Sequence, residues 1–396
     1  MSSSTSLAST TTTEQVEVTQ NRGKLLDPIT GELLPLNEGW ARQPSYWEYS
    51  REDALCALEH SRALSSGVYH RYFRTLKEWD YYCLISQEQR FGICLTLADL
   101  GGVASLASIV FLDLKTGFKS QADSVILPWM PLSKRRASIG LASESFRGNV
   151  GVHDSTLQLA VDWETLPGFG IVSFASQSIG NAQGETGLVG RIVLKRYEEE
   201  SLTIATSWGP SLRSYYYFNQ KANCIQVSSG GFSIGKSQYL LNPRQDLAVL
   251  DWGRGVWTYK NRWFWSSLSC RLGDGMRFGW NLGYGFSDRS RATENCVLYE
   301  GRVHKLGEVR FVFDESDYTK PWILESSDDG DDDGQKRLMM KMVPIIDRNF
   351  TLNLGVVKSI QHQVFGRFSG YCVLDNGVRI EIKEVIGFAE DVLNWW

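Results

Sequence analysis

The chain has 396 residues, 42% of them hydrophobic, and a formal net charge of −4, which is enough for two domains with a sizeable core. Its lysines and arginines are spread evenly, which argues against nucleic acid as a principal partner, and no run approaches the length of a membrane-spanning helix. Seven cysteines (Cys56, Cys83, Cys94, Cys224, Cys270, Cys296, Cys372) include no CxxC pair, so they read as reduced thiols of a cytosolic protein, not a disulfide framework or zinc site.

The opening stretch is rich in Ser and Thr, with no cationic or apolar region and no arginine before Arg22. No secretory or mitochondrial signal is expected there. Residues 1–24 are expected to form a disordered tail, and the cytoplasm is the expected location. A helix is predicted from Ser50 to Ser61, capped by Ser50 with Asp53 three residues on. The body otherwise reads as strands bounded by Gly, Asp, Asn and Ser clusters. They include Tyr81–Ile85, Ile93–Leu97, Ser108–Leu112, Leu157–Val161, Arg191–Leu194 and Leu202–Thr206. Turns every eight to fifteen residues, with no βαβ rhythm, predict an all-β protein of two antiparallel barrels or sandwiches with few short helices. The charged run Arg196–Glu200 before Trp208-Gly209-Pro210 suggests a boundary, giving domains at 25–200 and 201–396.

Gly231-Phe232-Ser233-Ile234-Gly235 matches the G-x-S-x-G pattern, but lacks the strand and helix that lift a nucleophilic serine out of its turn. It reads as a hairpin turn. The segment Asp251–Glu300 holds five of the fourteen tryptophans, interleaved with arginines and glycines. Aromatic faces beside fixed Arg and Asn donors suit a flat, partly polar organic ligand. The acidic stretch 326–334 lacks the twelfth-position glutamate of a calcium loop, where Met340 stands, and reads as a solvated loop. The five histidines (His60, His70, His153, His304, His362) show no metal-ligand spacing, and no nucleotide-binding fingerprint is present, so neither metal nor cofactor is expected.

Several ordered motifs together resemble a widespread uncharacterised family. They are Asp251-Trp252-Gly253-Arg254-Gly255-Val256-Trp257, Trp280-Asn281-Leu282-Gly283-Tyr284-Gly285-Phe286 and Thr293-Glu294-Asn295. His304-Lys305, Pro321-Trp322, the run His362–Gly370, Gly387-Phe388-Ala389-Glu390 and Trp395-Trp396 continue the series. That family looks related to the two-barrel, lipocalin-like group of carotenoid hydratases, tocopherol cyclases and fungal Diels–Alderases. Fungal hetero-Diels–Alderases of tropolone-sesquiterpenoid pathways are the characterised comparison. The resemblance implies two lipocalin-like barrels and a cofactor-independent cyclase or pericyclase acting on a bulky hydrophobic metabolite. A lipocalin-like binding protein without catalysis, or a hydratase or isomerase, is the alternative. Thr258, Cys270 and Ser287 depart from the pattern, which has proline, glycine and glycine there.

The chemistry of the motif residues assigns candidate roles. Arg254 and Arg262 offer planar donor forks to a carboxylate or polarised carbonyl, or else pair with a carboxylate such as Asp251 to lock a barrel corner. Tyr259 offers a phenolic donor and His362 a group titrating near neutrality. These four form the candidate catalytic set. Trp252, Trp257, Trp263, Trp265, Trp280, Tyr284, Asn295, His304 and Arg367 form the candidate substrate-binding set, most of the tryptophans being equally good core. Glu294 is expected to orient a partner or close a turn.

Overall fold

A computed structural model describes residues 15–64, 75–101, 104–126, 141–327, 335–353, 355 and 358–395. Most of the acidic loop, residues 328–334, lies outside them, as do His70 and the first fourteen residues. Among the described residues the protein is nearly all β, with one α-helix and two curled antiparallel sheets.

The 13-stranded sheet holds β1 (Gly39–Ala41), β2 (Lys77–Ser86), β3 (Phe91–Asp99), β4 (Ser105–Asp113), β5 (Phe118–Ile126), β6 (Asn149–His153), β7 (Gln158–Asp162), β8 (Phe169–Gly180), β9 (Thr186–Lys195), β10 (Leu202–Ser207), β11 (Tyr216–Ile234), β12 (Ser237–Leu240) and β13 (Leu247–Val256). Its main path runs β5-β4-β3-β2-β13-β11-β9-β8-β7-β6. The 9-stranded sheet holds β14 (Lys260–Arg271), β15 (Arg277–Tyr284), β16 (Cys296–Tyr299), β17 (Arg302–Lys305), β18 (Val309–Val312), β19 (Trp322–Ser326), β20 (Leu338–Asn353), β21 (Lys358–Val373) and β22 (Arg379–Trp395). It is ordered β17-β16-β15-β14-β22-β21-β20-β19-β18. The chain passes from the first sheet to the second between Val256 and Lys260, whereas the sequence suggested a boundary near residue 200. β10, β11 and β13 belong to the first sheet because β13 pairs with β2, a contact between segments far apart in sequence.

Helix α1 (Arg51–Leu64) begins where the sequence predicts, with the Asp53 amide donating to Ser50 Oγ at 3.1 Å. Five of the six strands predicted from alternation fall within observed strands, and the sixth, Leu157–Val161, starts one residue ahead of β7. β11 and β12 form a hairpin turning at Gly235, with Ile234 opposite Ser237, so Ser233 sits in a ladder and not on an elbow. Residues 15–24, read as tail, are instead pinned. Val18 is buried, the Val16 amide donates to the Arg291 carbonyl, and the Thr293 amide donates to Gln15 Oε1.

Alternation sends one face of each sheet inward and the other toward its partner. Inside the first sheet pack Leu84, Ile93, Phe111, Trp163, Phe174, Phe218 and Trp252. Inside the second pack Leu268, Trp280, Trp322, Met340 and Phe368. Two further clusters lie where the sheets meet back to back. One joins Tyr81, Cys83 and Cys94 to Trp265, Phe365 and Phe388; the other joins Trp40, Ile204 and Tyr217 to Trp257, Phe286 and Leu298.

Candidate functional site

The site grows from strand register. In the first sheet Lys221, Asp251 and Tyr81 stand directly opposite one another on β11, β13 and β2. In the second, Gly283, Trp265, Glu390 and Gln363 form the matching row on β15, β14, β22 and β21. Docking the sheets lays one row on the other. The Lys221 ammonium lies 4.3 Å above the Trp265 ring, and Tyr81 meets Trp265 edge to face at 5.7 Å. Gln363 Nε2 donates to the Tyr81 hydroxyl at 3.2 Å and to Glu390 Oε2 at 3.1 Å.

Glu294 completes the cluster from the loop before β16. It occupies the space left by Gly283, where a Cβ would lie 2.6 Å from the Glu294 carboxyl carbon. Lys221 Nζ is 2.8 Å from Asp251 Oδ2 and 3.4 Å from Glu294 Oε2. Asn219 Nδ2 donates to Asp251 Oδ1 at 2.6 Å. Trp263 Nε1 donates to Glu390 Oε1 at 2.9 Å. Three carboxyl groups thus gather around one ammonium, Asp251 and Glu294 in direct contact with it and Glu390 within reach of its charge, in a place that water barely reaches. Relative exposures are 3% for Lys221, 5% for Asp251, 7% for Glu294 and 8% for Glu390, so the cluster is buried without being sealed.

The electrostatics follow from that ratio. Burial pushes Glu390 from the ordinary 4.5 up to about 7, against the Trp263 hydrogen bond and the Lys221 charge, with Asp251 adding repulsion. Burial also raises Glu294, opposed by Lys221. For Lys221 burial alone would favour the neutral amine, but Asp251 and Glu294 hold it above its ordinary value. Near neutrality Glu390 therefore exchanges a proton while Lys221 stays charged.

Beside the acids stands an aromatic wall. Trp79 lies flat over Gly253, where a Cβ would come within 2.1 Å of the indole, and stacks on Tyr217 at 5.9 Å. Trp257 meets Trp79 at 5.4 Å, and Phe286 meets Tyr217, Trp257 and Trp263 at 4.9, 5.5 and 5.5 Å. Trp263, half-buried and bonded to Glu390, belongs to both wall and cluster.

Of the residues singled out in the sequence, Trp257, Trp263 and Trp265 come together at this interface. Arg254 does not. It is fully buried inside the first sheet, where Nη1 donates to the Trp79 and Gly253 carbonyls and to Asp80 Oδ1 at 3.0 Å, and Nη2 donates to the Ala142 carbonyl. Its Nε lies 3.5 Å from Glu78 Oε1, so its donors bind strands together and face no ligand. Trp252 packs under it in the first core, and Trp280 in the second donates to Ser266 Oγ. Asn295 accepts from the Gly283 amide and donates to the Gly307 carbonyl, holding the loop that presents Glu294. Tyr259 lies half-buried in the crossing between the sheets.

Arg262 and His362 meet elsewhere, on the inner side of the second sheet. Arg262 grips Asp391 through two bonds of 2.9 and 2.7 Å; Tyr318 donates to the same carboxylate at 2.8 Å and stacks on His362 at 3.7 Å. His362 Nδ1 is 2.8 Å from Asp347 Oδ2. Tyr284 stacks on Phe264 and accepts from the Phe311 amide. His304 pairs with Asp375 at 3.3 Å and Arg367 approaches Glu384 at 3.9 Å. A cavity of about 260 Å³ opens beside Lys195, Gln226 and Cys224, but Arg277 there is consumed by Glu199 and Arg196 donates to the Trp163 carbonyl.

Sequence reasoning missed Lys221, Asp251 and Glu390 as a functional set. The signal was available, because Asp251, Glu294 and Glu390 each stand in a separate quoted motif. Lys221 lies outside all of them and offered none.

Fold and site define a two-sheet β protein with an acid cluster gathered around Lys221 and buried between its sheets. The chain belongs to the family described as Domain of unknown function (DUF2804), whose profile matches residues 15–396. No curated relative matches. Among solved structures it is similar to kievitone hydratase from Nectria haematococca, at 9% identity over 81% of this chain and 88% of that one, with a TM-score of 0.44. It is similar to CghA at the same identity, coverage and TM-score, and to CghA with Sch210972 at 10% identity and the same coverage and score.

Proposed function

We propose that the protein is an enzyme of the hydratase or cyclase type, using side-chain acid chemistry on a bulky hydrophobic small molecule. The observation that carries this reading is Glu390, a carboxyl group poised near neutrality beside an aromatic wall. A general acid works best with a pKa near the working pH, and functional sites are where burial and like charges bring that about. Glu390 would donate a proton or hydrogen bond to an alkene or carbonyl held against Trp79, Trp257 and Trp263. Asp251 and Glu294, each within reach of the Lys221 ammonium, would steady positive charge developing there.

The finer reading is a cyclase or pericyclase of hetero-Diels–Alder type, acting on a secondary metabolite such as a tropolone-terpenoid. The motif resemblance supports it, and holding a substrate in its reactive shape supplies up to about 7–11 kcal/mol. Purified protein and its Glu390→Gln variant, incubated with hydrophobic extract of the source organism beside a boiled control, test the proposal. A mass-neutral or water-sized product change is expected with the native protein, slowed on the order of 10²-fold or more in the variant. Retention of a compound without conversion would replace the enzyme by a carrier.

A further inference from the structure

Two thiols that the acid chemistry does not use lie one register step below Tyr81. Cys83 and Cys94 are directly opposed on β2 and β3, with sulfurs 3.7 Å apart and exposures of 3% and 1%. Antiparallel partners hold their Cα atoms about 4.5–5.5 Å apart, inside the range of roughly 4.4–6.8 Å that a disulfide spans. Closing the sulfurs to about 2.05 Å therefore needs side-chain rotation and no strand movement. No other cysteine pair among the described residues shares such a contact.

We propose that Cys83 and Cys94 form an oxidation site, a vicinal-strand dithiol that a small hydroperoxide closes to a disulfide. In the first step a Cys94 thiolate attacks hydrogen peroxide. The O–O bond breaks, one oxygen stays on sulfur as a sulfenic acid, and the other leaves as hydroxide, which takes up the proton released when the Cys94 thiol ionised and becomes water. In the second step the Cys83 sulfur displaces hydroxide from the sulfenic acid, its proton completes a second water, and the S–S bond forms. Two thiols lose two electrons and two protons, and peroxide gains them.

The surroundings support this order. Burial disfavours a Cys94 thiolate, but the hydrogen bond shared with Cys83, the Arg348 charge and the hydrogen bond with Tyr81 together hold Cys94 below the ordinary thiol range, while the bond between the two thiols holds Cys83 above it. The pair also touches the site described above. Tyr81 shares a hydrogen bond with Cys94, and its hydroxyl accepts from Gln363, which donates to Glu390. A disulfide removes the thiol partner of Tyr81, two hydrogen bonds from Glu390. The strands are already joined by a short turn at residues 87–90, so the bond adds little by closing a loop. Its effect falls on Tyr81.

The test is independent of any catalytic role. Native protein is treated with hydrogen peroxide, quenched with catalase, denatured, alkylated with N-ethylmaleimide and mapped without reduction. The expected product is a peptide joining Cys83 to Cys94, two mass units lighter, reversed by dithiothreitol, with the other five cysteines alkylated. The Cys83→Ser variant, its fold checked by circular dichroism, should instead trap a dimedone-reactive sulfenic acid at Cys94. Both thiols alkylated at peroxide doses that already oxidise methionine would overturn the proposal. So would a linkage that appears only after unfolding.

Discussion

Glu390 makes stability depend on pH in a direction opposite to most carboxylates. Its folded value of about 7 lies above the ordinary 4.5. Below 4.5 both folded and unfolded chains hold the proton and no penalty arises. Between those values the unfolded chain gives up the proton first, so stability falls as pH rises, by about 3 kcal/mol once pH passes 7. Urea denaturation of Glu390→Gln should lack this fall, and an unchanged pH profile in the variant would assign the effect to another group. Lys221→Met addresses the other half of the cluster. It leaves Asp251 and Glu294 buried without their cation, and removing one partner of such a pair costs about 3–5 kcal/mol. The loss should shrink in acid, where the carboxyls are protonated, and this too is read from urea midpoints. At this scale the sequence was only partly legible. Residue type suggested that histidine and arginine would carry chemistry, yet both arginines in the candidate catalytic set are bound to carboxylates. A glutamate becomes a proton donor through burial, and burial depends on sheet docking that no local pattern encodes.

Among the elements, β13 shows how a strand serves two interiors at once. All ten of its residues are buried; Trp252 and Arg254 face the first core, while Asp251 and Gly253 face the second sheet. Gly253→Ala would place a methyl group inside the Trp79 ring. Overpacking of this kind costs typically 1–3 kcal/mol, and the displaced indole should part from Tyr217, visible as a changed near-ultraviolet circular dichroism. Ser287 offers the reverse case. Its φ of 58° is left-handed, which explains why the resembling pattern carries glycine there, and its hydroxyl lies 2.7 Å from that of Thr206. Ser287→Gly relieves about 1–2 kcal/mol of backbone strain and forfeits a hydrogen bond worth about 1 kcal/mol. Its thermal midpoint should therefore stay level or rise. The strands themselves were readable from alternation. What alternation does not report is which strands pair: the hairpins are local, but β2 with β13 and β14 with β22 join segments more than a hundred residues apart.

At the scale of the molecule the two sheets share one apolar seam. Tyr81, Cys83 and Val249 of the first are buried by Trp265, Phe365 and Phe388 of the second. Separating the sheets would expose both clusters and the charged row, so calorimetry should show one cooperative unfolding transition. Two resolved transitions would mean that the seam contributes little. The all-β, two-sheet architecture was legible from composition and turn spacing. The point where the chain changes sheets was not, because the charged run near residue 200 belongs to a connection within the first sheet.

β22 is the latest strand in chain order, yet it lies between β14 and β21 at the middle of its sheet. While the protein is being made, the two flanks of that sheet must wait for it with unpaired edges, and exposed edges recruit other chains. Ribosomal pausing before residue 379 would thus hold the nascent chain in its most adhesive form. Co-translational chaperones should matter most at that moment, and the acid cluster can assemble only after it has passed.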